Sequence, residues 1–242
     1  MSMSIIVPAF DEERLIGSTI DAIQHFLIQN NLDGDITIIN DGSTDQTRAL
    51  VEKKIASNRT KIPVKLINND ANQGKGYSVR KGMLASSGDV RVFMDADLPY
   101  NLNLLMQIQT NILNGSDVVI GDRNNPQSKL IDIHPLRKAA GRIYSALVQL
   151  LIKDGITDTQ CGLKGFSAES AGLILSRARI NGFGFDVEVL RIAQKHHLKI
   201  SKLPVEMINN RADSRVQLIQ DSLLMLLNLI LIRKNELFGY YD

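Results

Sequence analysis

Tryptophan is absent from this chain of 242 residues, cysteine occurs once, and charge is nearly balanced, with 28 Lys and Arg against 26 Asp and Glu. The last two of these each remove a class of protein. A net charge of +2 with the histidines neutral offers no global field to a polyanion, so composition excludes a nucleic-acid binder. Cys161 alone cannot close an intrachain disulfide, which excludes a stapled scaffold and favours a reducing, cytoplasmic setting. The first eight residues, Met1 to Pro8, place no basic segment ahead of a long apolar stretch, so no secretory signal is expected. Spanning a bilayer takes roughly 20 consecutive apolar residues. The longest run, Leu223 to Ile232, is interrupted by Asn228 and closed by Arg233-Lys234. What remains, 44% hydrophobic and 22% charged, is an ordinary globular composition. A chain of this size buries about 70–75% of the surface its unfolded form exposes, enough for one large domain.

Short apolar runs alternate with helical patterns, which predicts an α/β fold with a mostly parallel sheet and crossover helices. The strand candidates are Ser4 to Pro8, Ile36 to Asn40, Val64 to Asn68, Val90 to Met94 and Val118 to Ile120. Between the first two, Leu15, Ile16, Ile20, Ile23, Phe26 and Leu27 recur at helical spacing. Gly76 to Ala85 reads as a further helix. In the second half Arg123 to Pro135 reads as a loop, Asp158 to Phe166 as a polar turn entering a strand, and Leu203 to Ile208 as a strand. Ser170 to Arg177, Asp186 to His196 and Ser214 to Arg233 read as helices. Leu136 to Ile152 mixes Arg137, Lys138 and Arg142 with apolar residues such as Leu147 and Val148. That pattern suits either a surface helix packed on the core or a helix lying in a membrane interface. No repeat or linker divides the chain.

Several strand candidates run into acids. Ligands of open α/β sheets bind beyond the carboxyl ends of the strands, so Asp11, Glu13, Asp41, Asp95 and Asp97 are expected around one crevice. Asp95-Ala96-Asp97 ends a buried strand, and two hard carboxylates that leave positions for water and phosphate suit Mg²⁺ or Mn²⁺. Taken alone, the pair reads equally as a helix cap and a solvated turn acid. Asp41 opens Asp41-Gly42-Ser43-Thr44-Asp45, where it could accept from a base edge or ribose, or cap a helix. Asn72-Gln73-Gly74-Lys75-Gly76 joins glycines to a lysine able to meet phosphate, without the spacing of a P-loop.

In that order and at those spacings, VPAFDEE, NDGSTDQT, NQGKGYSVRKG and MDADLP resemble the inverting glycosyltransferases of family 2. Gly121-Asp122-Arg123, the stretch Asp158 to Phe166, and Gly184-Phe185-Asp186-Val187-Glu188 extend the likeness toward the polyprenyl-phosphate (dolichyl-phosphate) branch, over about 210 residues in all. The resemblance implies a GT-A fold, a single Rossmann-like domain over 1–242. Within it, 1–125 would be the nucleotide-sugar half, and 126–242 an acceptor-side half with amphipathic helices. It implies a nucleotide-sugar donor, UDP-glucose favoured, a divalent metal and a polyprenyl phosphate acceptor. Pro8, Ala9, Asp11, Glu13 and Asp41 would hold the nucleoside, Asp11 standing where the family usually has asparagine. Asp95 would touch ribose or metal and Asp97 would ligate the metal. Lys75 and Arg123 would lie near the phosphates or the acceptor, and Asp158 and Gln160 by the sugar. Asp186 and Glu188 would support the floor.

An acceptor that is already anionic needs little help from a base, so positive charge becomes the requirement. Arg123, Arg137, Lys138, Arg142, Arg211 and Arg215 are its candidates. A saccharide hydroxyl acceptor, as in cell-surface polysaccharide synthesis, would instead need a base, Asp158 first and Asp186 second. A catalytically silent nucleotide-sugar sensor is the third reading, opposed by the intact acid pair. No G-x-G-x-x-G opens the first helix, which disfavours a dinucleotide oxidoreductase. His25, His134, His196 and His197 are too scattered to suggest a histidine metal site, and Cys161 reads as a packed side chain rather than a nucleophile. Any membrane contact is expected to be peripheral, and the oligomeric state is not encoded in any of these patterns.

Overall fold

The computed structural model describes residues 1–131, 144–149, 156, 158–208 and 218–242. The first half alternates as expected: β1 (Met3–Ala9), α1 (Ile16–Gln29), β2 (Gly34–Asn40), α2 (Thr47–Ser57), β3 (Val64–Asn68), α3 (Lys75–Ala85), β4 (Val90–Met94), α4 (Leu104–Leu113) and β5 (Val118–Asp122). The second half contributes β6 (Lys129–Ile131), β7 (Leu163–Ser167), α5 (Ala168–Arg177), α6 (Phe185–Lys195), β8 (Ile200–Pro204), β9 (Glu206–Ile208) and α7 (Leu218–Leu237).

Among the described residues seven strands form one sheet in the order β3-β2-β1-β4-β7-β5-β8, in which β7 alone runs antiparallel to its neighbours. Strands β1, β2, β4 and β5 therefore end on the same edge of the sheet, and β7 begins there, with Met94 opposite Leu163. That inversion brings the turn before β7 to the tips of β4 and β5. Because β7 and β8 lie in the same sheet as β1 to β5, the two halves of the chain share one fold, a mostly parallel sheet flanked by helices.

Strand alternation divides the core into two layers. Ile5 and Val7 of β1 face α1 and α4, whose Ile16, Ile20, Ile23, Leu105 and Ile108 are buried with them. Ile6 and Phe93 face the other way, onto Val79 and Met83 of α3 and onto Ile174, Leu190, Leu229 and Ile232 of α5, α6 and α7. Tyr144 and Val148 are buried in this second layer and Leu147 packs against it. The described residues of the Leu136 to Ile152 stretch thus include a face turned to the core, as a surface helix would have.

Two expectations need correction. Arg123 to Pro135 is not loop throughout, because Lys129–Ile131 pairs in parallel with Glu206–Ile208. Leu203 to Ile208 is not one strand, because the chain leaves the main sheet at Val205. The Val205 N–H turns to Ser128 Oγ at 2.8 Å while its carbonyl accepts from the Lys129 N–H at 2.9 Å.

Candidate active site

On one side of the crevice, carboxylates hold the backbone of neighbouring loops. Asp11 adopts φ 51°, a left-handed turn that ends β1 sharply. Asn and Asp tolerate that conformation best among residues with a side chain, which suits the family's usual asparagine here as well as Asp11. Its N–H donates to Ser43 Oγ at 3.0 Å, and its Oδ1 accepts from the Thr44 N–H at 2.7 Å. Glu13 Oε2 accepts from the Gln46 N–H at 3.0 Å. The loops after β1 and β2 are therefore one hydrogen-bonded unit. Pro8 and Ala9 end β1 beside it, and the Ala9 carbonyl accepts from the Asp41 N–H at 2.8 Å.

Asp41 is buried and its carboxylate collects three donors: Asn69 Nδ2 at 2.7 Å and the N–H groups of Gln73 and Gly74, each at 2.9 Å. It thereby fixes the glycine loop that leads into α3. Gly74 has φ 96°, and a Cβ there would lie 2.6 Å from the Asn181 carbonyl oxygen, so only glycine fits. The consequence is that Lys75 starts α3 at the tip of β4.

Lys75 Nζ lies 2.7 Å from Asp95 Oδ1. Burial opposes its charge, but Asp95, Asp186 and Asp97 together outweigh burial and hold the ammonium above its ordinary pKa. Asp95 also abuts Gly162, where a Cβ would come within 1.9 Å of Oδ2 and displace the carboxylate. Asp95 and Asp97 are both partly exposed at the strand tip. Among the described residues no group of three or more His, Cys, Asp and Glu forms a ready metal cage. Two carboxylates are nevertheless a hard oxygen set of the kind that binds Mg²⁺ or Mn²⁺ together with substrate phosphates and water.

On the other side, carboxylates hold cations. Asp158 is buried and receives Arg123 three times, from the backbone N–H at 2.8 Å, Nε at 2.8 Å and Nη2 at 2.7 Å. Burial by itself would raise the Asp158 pKa, but the bidentate guanidinium holds it below the usual carboxylate range. Arg123 is raised in turn, against the effect of its burial. Cys161 beside them is buried, and burial with the Asp158 charge pushes its thiol up to about 11, as expected of a packed side chain. Gln160 reaches α7, where its amide lies 3.8 Å from Met225 Sδ.

Beneath this side, Lys164 of β7 is fully buried. Its ammonium donates to Asp186 and to the Cys161 carbonyl, at 2.8 Å for the latter, and sits 5.4 Å from the centre of the Phe93 ring. Glu188 is also fully buried. Its Oε2 accepts from the N–H groups of Arg179 and Ile180 at 2.9 and 2.8 Å, and its Oε1 accepts from the Tyr241 hydroxyl at 2.7 Å. Desolvation raises its pKa despite these donors.

The structure thus brings Pro8, Ala9, Asp11, Glu13, Asp41, Lys75, Asp95 and Asp97 to one edge of the sheet, with Arg123, Asp158 and Gln160 across from them. Asp186 and Glu188 lie below. Arg137, Lys138, Arg142, Arg211 and Arg215 fall outside the described residues. Sequence reasoning missed Lys164 and Tyr241. A lone lysine inside the apolar strand Leu163-Lys164-Gly165-Phe166 was the available signal for the first; nothing local marks the second.

Residues 4–173 match glycosyl transferase family 2, and the chain belongs to that family. It is 28% identical over 226 residues to a dolichyl-phosphate beta-glucosyltransferase of Trichomonas vaginalis, covering 89% of this chain and 66% of the relative. A second dolichyl-phosphate beta-glucosyltransferase, from Dictyostelium discoideum, is 32% identical, covering 99% of this chain and 76% of the relative. The chain therefore spans about two thirds to three quarters of the length of these curated relatives. Its fold, the GT-A arrangement, is shared by glucosyl-3-phosphoglycerate synthase from Mycobacterium tuberculosis, solved with Mn²⁺, UDP-glucose and phosphoglyceric acid. That structure matches with a TM-score of 0.68 at 20% identity, over 96% of this chain and 80% of the other.

Proposed function

We propose that this chain transfers glucose from UDP-glucose to a polyprenyl phosphate of the dolichyl type, with inversion at the anomeric carbon and with a divalent metal. The names of the relatives support glucose and the lipid phosphate. The fold neighbour's UDP-glucose and Mn²⁺ support the donor and the ion.

One observation favours a phosphate over a hydroxyl acceptor. Both candidate bases are committed to cations, Asp158 to Arg123 and Asp186 to Lys164. A carboxylate held below its usual pKa by a guanidinium is a weak proton acceptor, whereas a phosphate oxygen attacks without losing a proton. The role of Asp158 in this reading is to orient Arg123, which presents its remaining positive surface to the acceptor phosphate.

The step then consists of positioning and electrostatics. The phosphate oxygen of the acceptor attacks the anomeric carbon from the face opposite UDP, its bond forming as the bond to the diphosphate oxygen breaks, and UDP leaves with the electron pair. Asp95 and Asp97 would hold the ion, which supplies Lewis-acid neutralisation of the leaving diphosphate. Lys75, already at Asp95, adds a second positive charge beside it. Asp11, Glu13 and Asp41 set the loops against which the nucleoside lies.

The test is a screen of UDP- and GDP-sugars with Mg²⁺ or Mn²⁺, with and without polyprenyl phosphate. Glucose passing from UDP-glucose into the organic phase only when the lipid phosphate is present is the expected result. Transfer to a saccharide instead, or donor binding with no transfer under any condition, would overturn the reading.

A further inference from the structure

From Leu223 to Ile232 the sequence of α7 is apolar but for Asn228. Leu229 and Ile232 are buried in the second core layer, yet the opposite face carries Leu224, Leu227, Ile230, Leu231 and Leu237 in the open, with Phe238 just beyond the helix end. Ile230 is 60%, Leu237 73% and Phe238 67% exposed. The spacing of 224, 227, 231 and of 230, 237 aligns them as one stripe, an arrangement that globular proteins seldom leave to water. A shallow groove of about 350 Å³ runs along it, lined by Ile230, Arg233, Lys234, Leu237 and Phe238 with Leu229 at its base.

The exposed charges of the stretch 224–238 are one-sided. Among the described residues of 224–238, Arg233 and Lys234 are exposed, while the one acid, Glu236, is only partly exposed and is held by Arg191 and Arg233. A second copy of the stretch 224–238 would bring no exposed carboxylate to meet these cations in a two-fold pairing. Anionic lipid headgroups would meet them, with the leucines below the headgroup plane. The same helix also walls the active site. Asn228 packs so closely on Gly184 that a Cβ there would lie 2.5 Å from its own, and Met225 meets Gln160. Phe183, exposed in the loop that Asn228 supports, extends the apolar edge toward the crevice.

We propose that the exposed face of α7 docks on an anionic membrane surface and so brings the crevice to the headgroup plane. The inference rests on the lipid-phosphate reading above but is tested separately from it. No helix among the described residues is long and apolar enough to cross a membrane, so the contact proposed is interfacial.

The experiment is co-sedimentation of the full chain with phosphatidylcholine vesicles and with vesicles containing phosphatidylglycerol. Wild type, Ile230→Glu and Leu237→Glu are compared, with folding checked by thermal melting. Wild type should sediment with the anionic vesicles. Each variant should lose about tenfold in partitioning while melting like wild type, since a buried leucine-sized side chain accounts for that much transfer energy. Binding should weaken at about 1 M salt, where screening reaches about 3 Å. Transfer to a short-chain, vesicle-free polyprenyl phosphate should be the same in all three proteins. Wild type that stays in the supernatant with both vesicle types, or folded variants that sediment like it, would overturn the docking. So would a wild-type dimer in solution that Ile230→Glu dissociates. Sedimentation without transfer to the short-chain acceptor would leave the docking intact and remove the function on which it was built.

Discussion

The two sides of the crevice use carboxylates in opposite ways. Around the side proposed to take the nucleotide, Asp11, Glu13 and Asp41 accept mainly from backbone N–H groups of the next loop, at 2.7 to 3.0 Å. Around the side proposed to take the acceptor, Asp158 and Asp186 accept from the cations Arg123 and Lys164. Backbone donors fix the shape of a loop without bringing a cation to the carboxylate; Asp95, paired with Lys75, is the exception on this side. Side-chain cations keep positive charge in place but make each carboxylate and its cation dependent on the other. A change on the first side should loosen a loop, and a change on the second should strand a charge.

The largest effect should therefore come from below the acceptor side. Asp186→Ala leaves Lys164 buried with only a carbonyl and an aromatic face, and breaking a buried pair in this way costs about 3–5 kcal/mol. Urea unfolding measures it, and the double change Lys164→Met, Asp186→Leu should recover most of the loss. A cost near zero for Asp186→Ala would erase the contrast. Asp41→Ala comes next, at about 1.5–3 kcal/mol for hydrogen bonds to a charged group, and UDP affinity should fall with stability because the loop to Lys75 slackens. Asp41→Ala with normal stability and normal UDP affinity would mean that the loop holds itself.

Arg123→Lys sharpens the comparison kinetically. A lysine keeps the charge but loses the bidentate grip on Asp158, so KM for the lipid phosphate should rise by about tenfold, at the scale of one charge-assisted hydrogen bond. UDP affinity should not change, as calorimetry would show. The smallest expected effect is on acid stability. The native pKa of Asp158 lies below its unfolded value of about 3.9, so its contribution is complete above that pH and is lost as pH falls through the native value. Melting temperatures between about pH 5 and about pH 2 should fall more steeply for wild type than for Asp158→Asn.

The same contrast explains what could be read in advance. The nucleotide side is built from contiguous motifs, in which a strand, a glycine and an acid sit within a few residues, so Asp11, Asp41, Asp95 and Asp97 were visible together. The acceptor side depends on pairings between distant segments. The partner of Asp186 lies in an antiparallel strand inserted between β4 and β5, and no local pattern of Leu163 to Ser167 reveals that insertion. Tyr241 donates to Glu188 across 53 residues, with no periodicity to announce it. Asp158 was visible as an acid near a sugar site, but its pairing to Arg123 required the geometry, and the pairing changes its role from base to anchor in the proposed reaction. The split of Leu203 to Ile208 at Val205 was likewise hidden, because a hydroxyl from Ser128 decides it.

In the proposed reaction the acids at the tip of β4 bind the donor through a divalent ion. Titration of UDP into wild type and Asp97→Ala, each with Mn²⁺ and with chelator, tests it most directly. Because Asp97 lies partly exposed at a strand tip, its replacement should leave the melting temperature nearly unchanged. Binding should be tight only for wild type with Mn²⁺, and weak and metal-independent for Asp97→Ala. Equal affinity for wild type in Mn²⁺ and in chelator would contradict it.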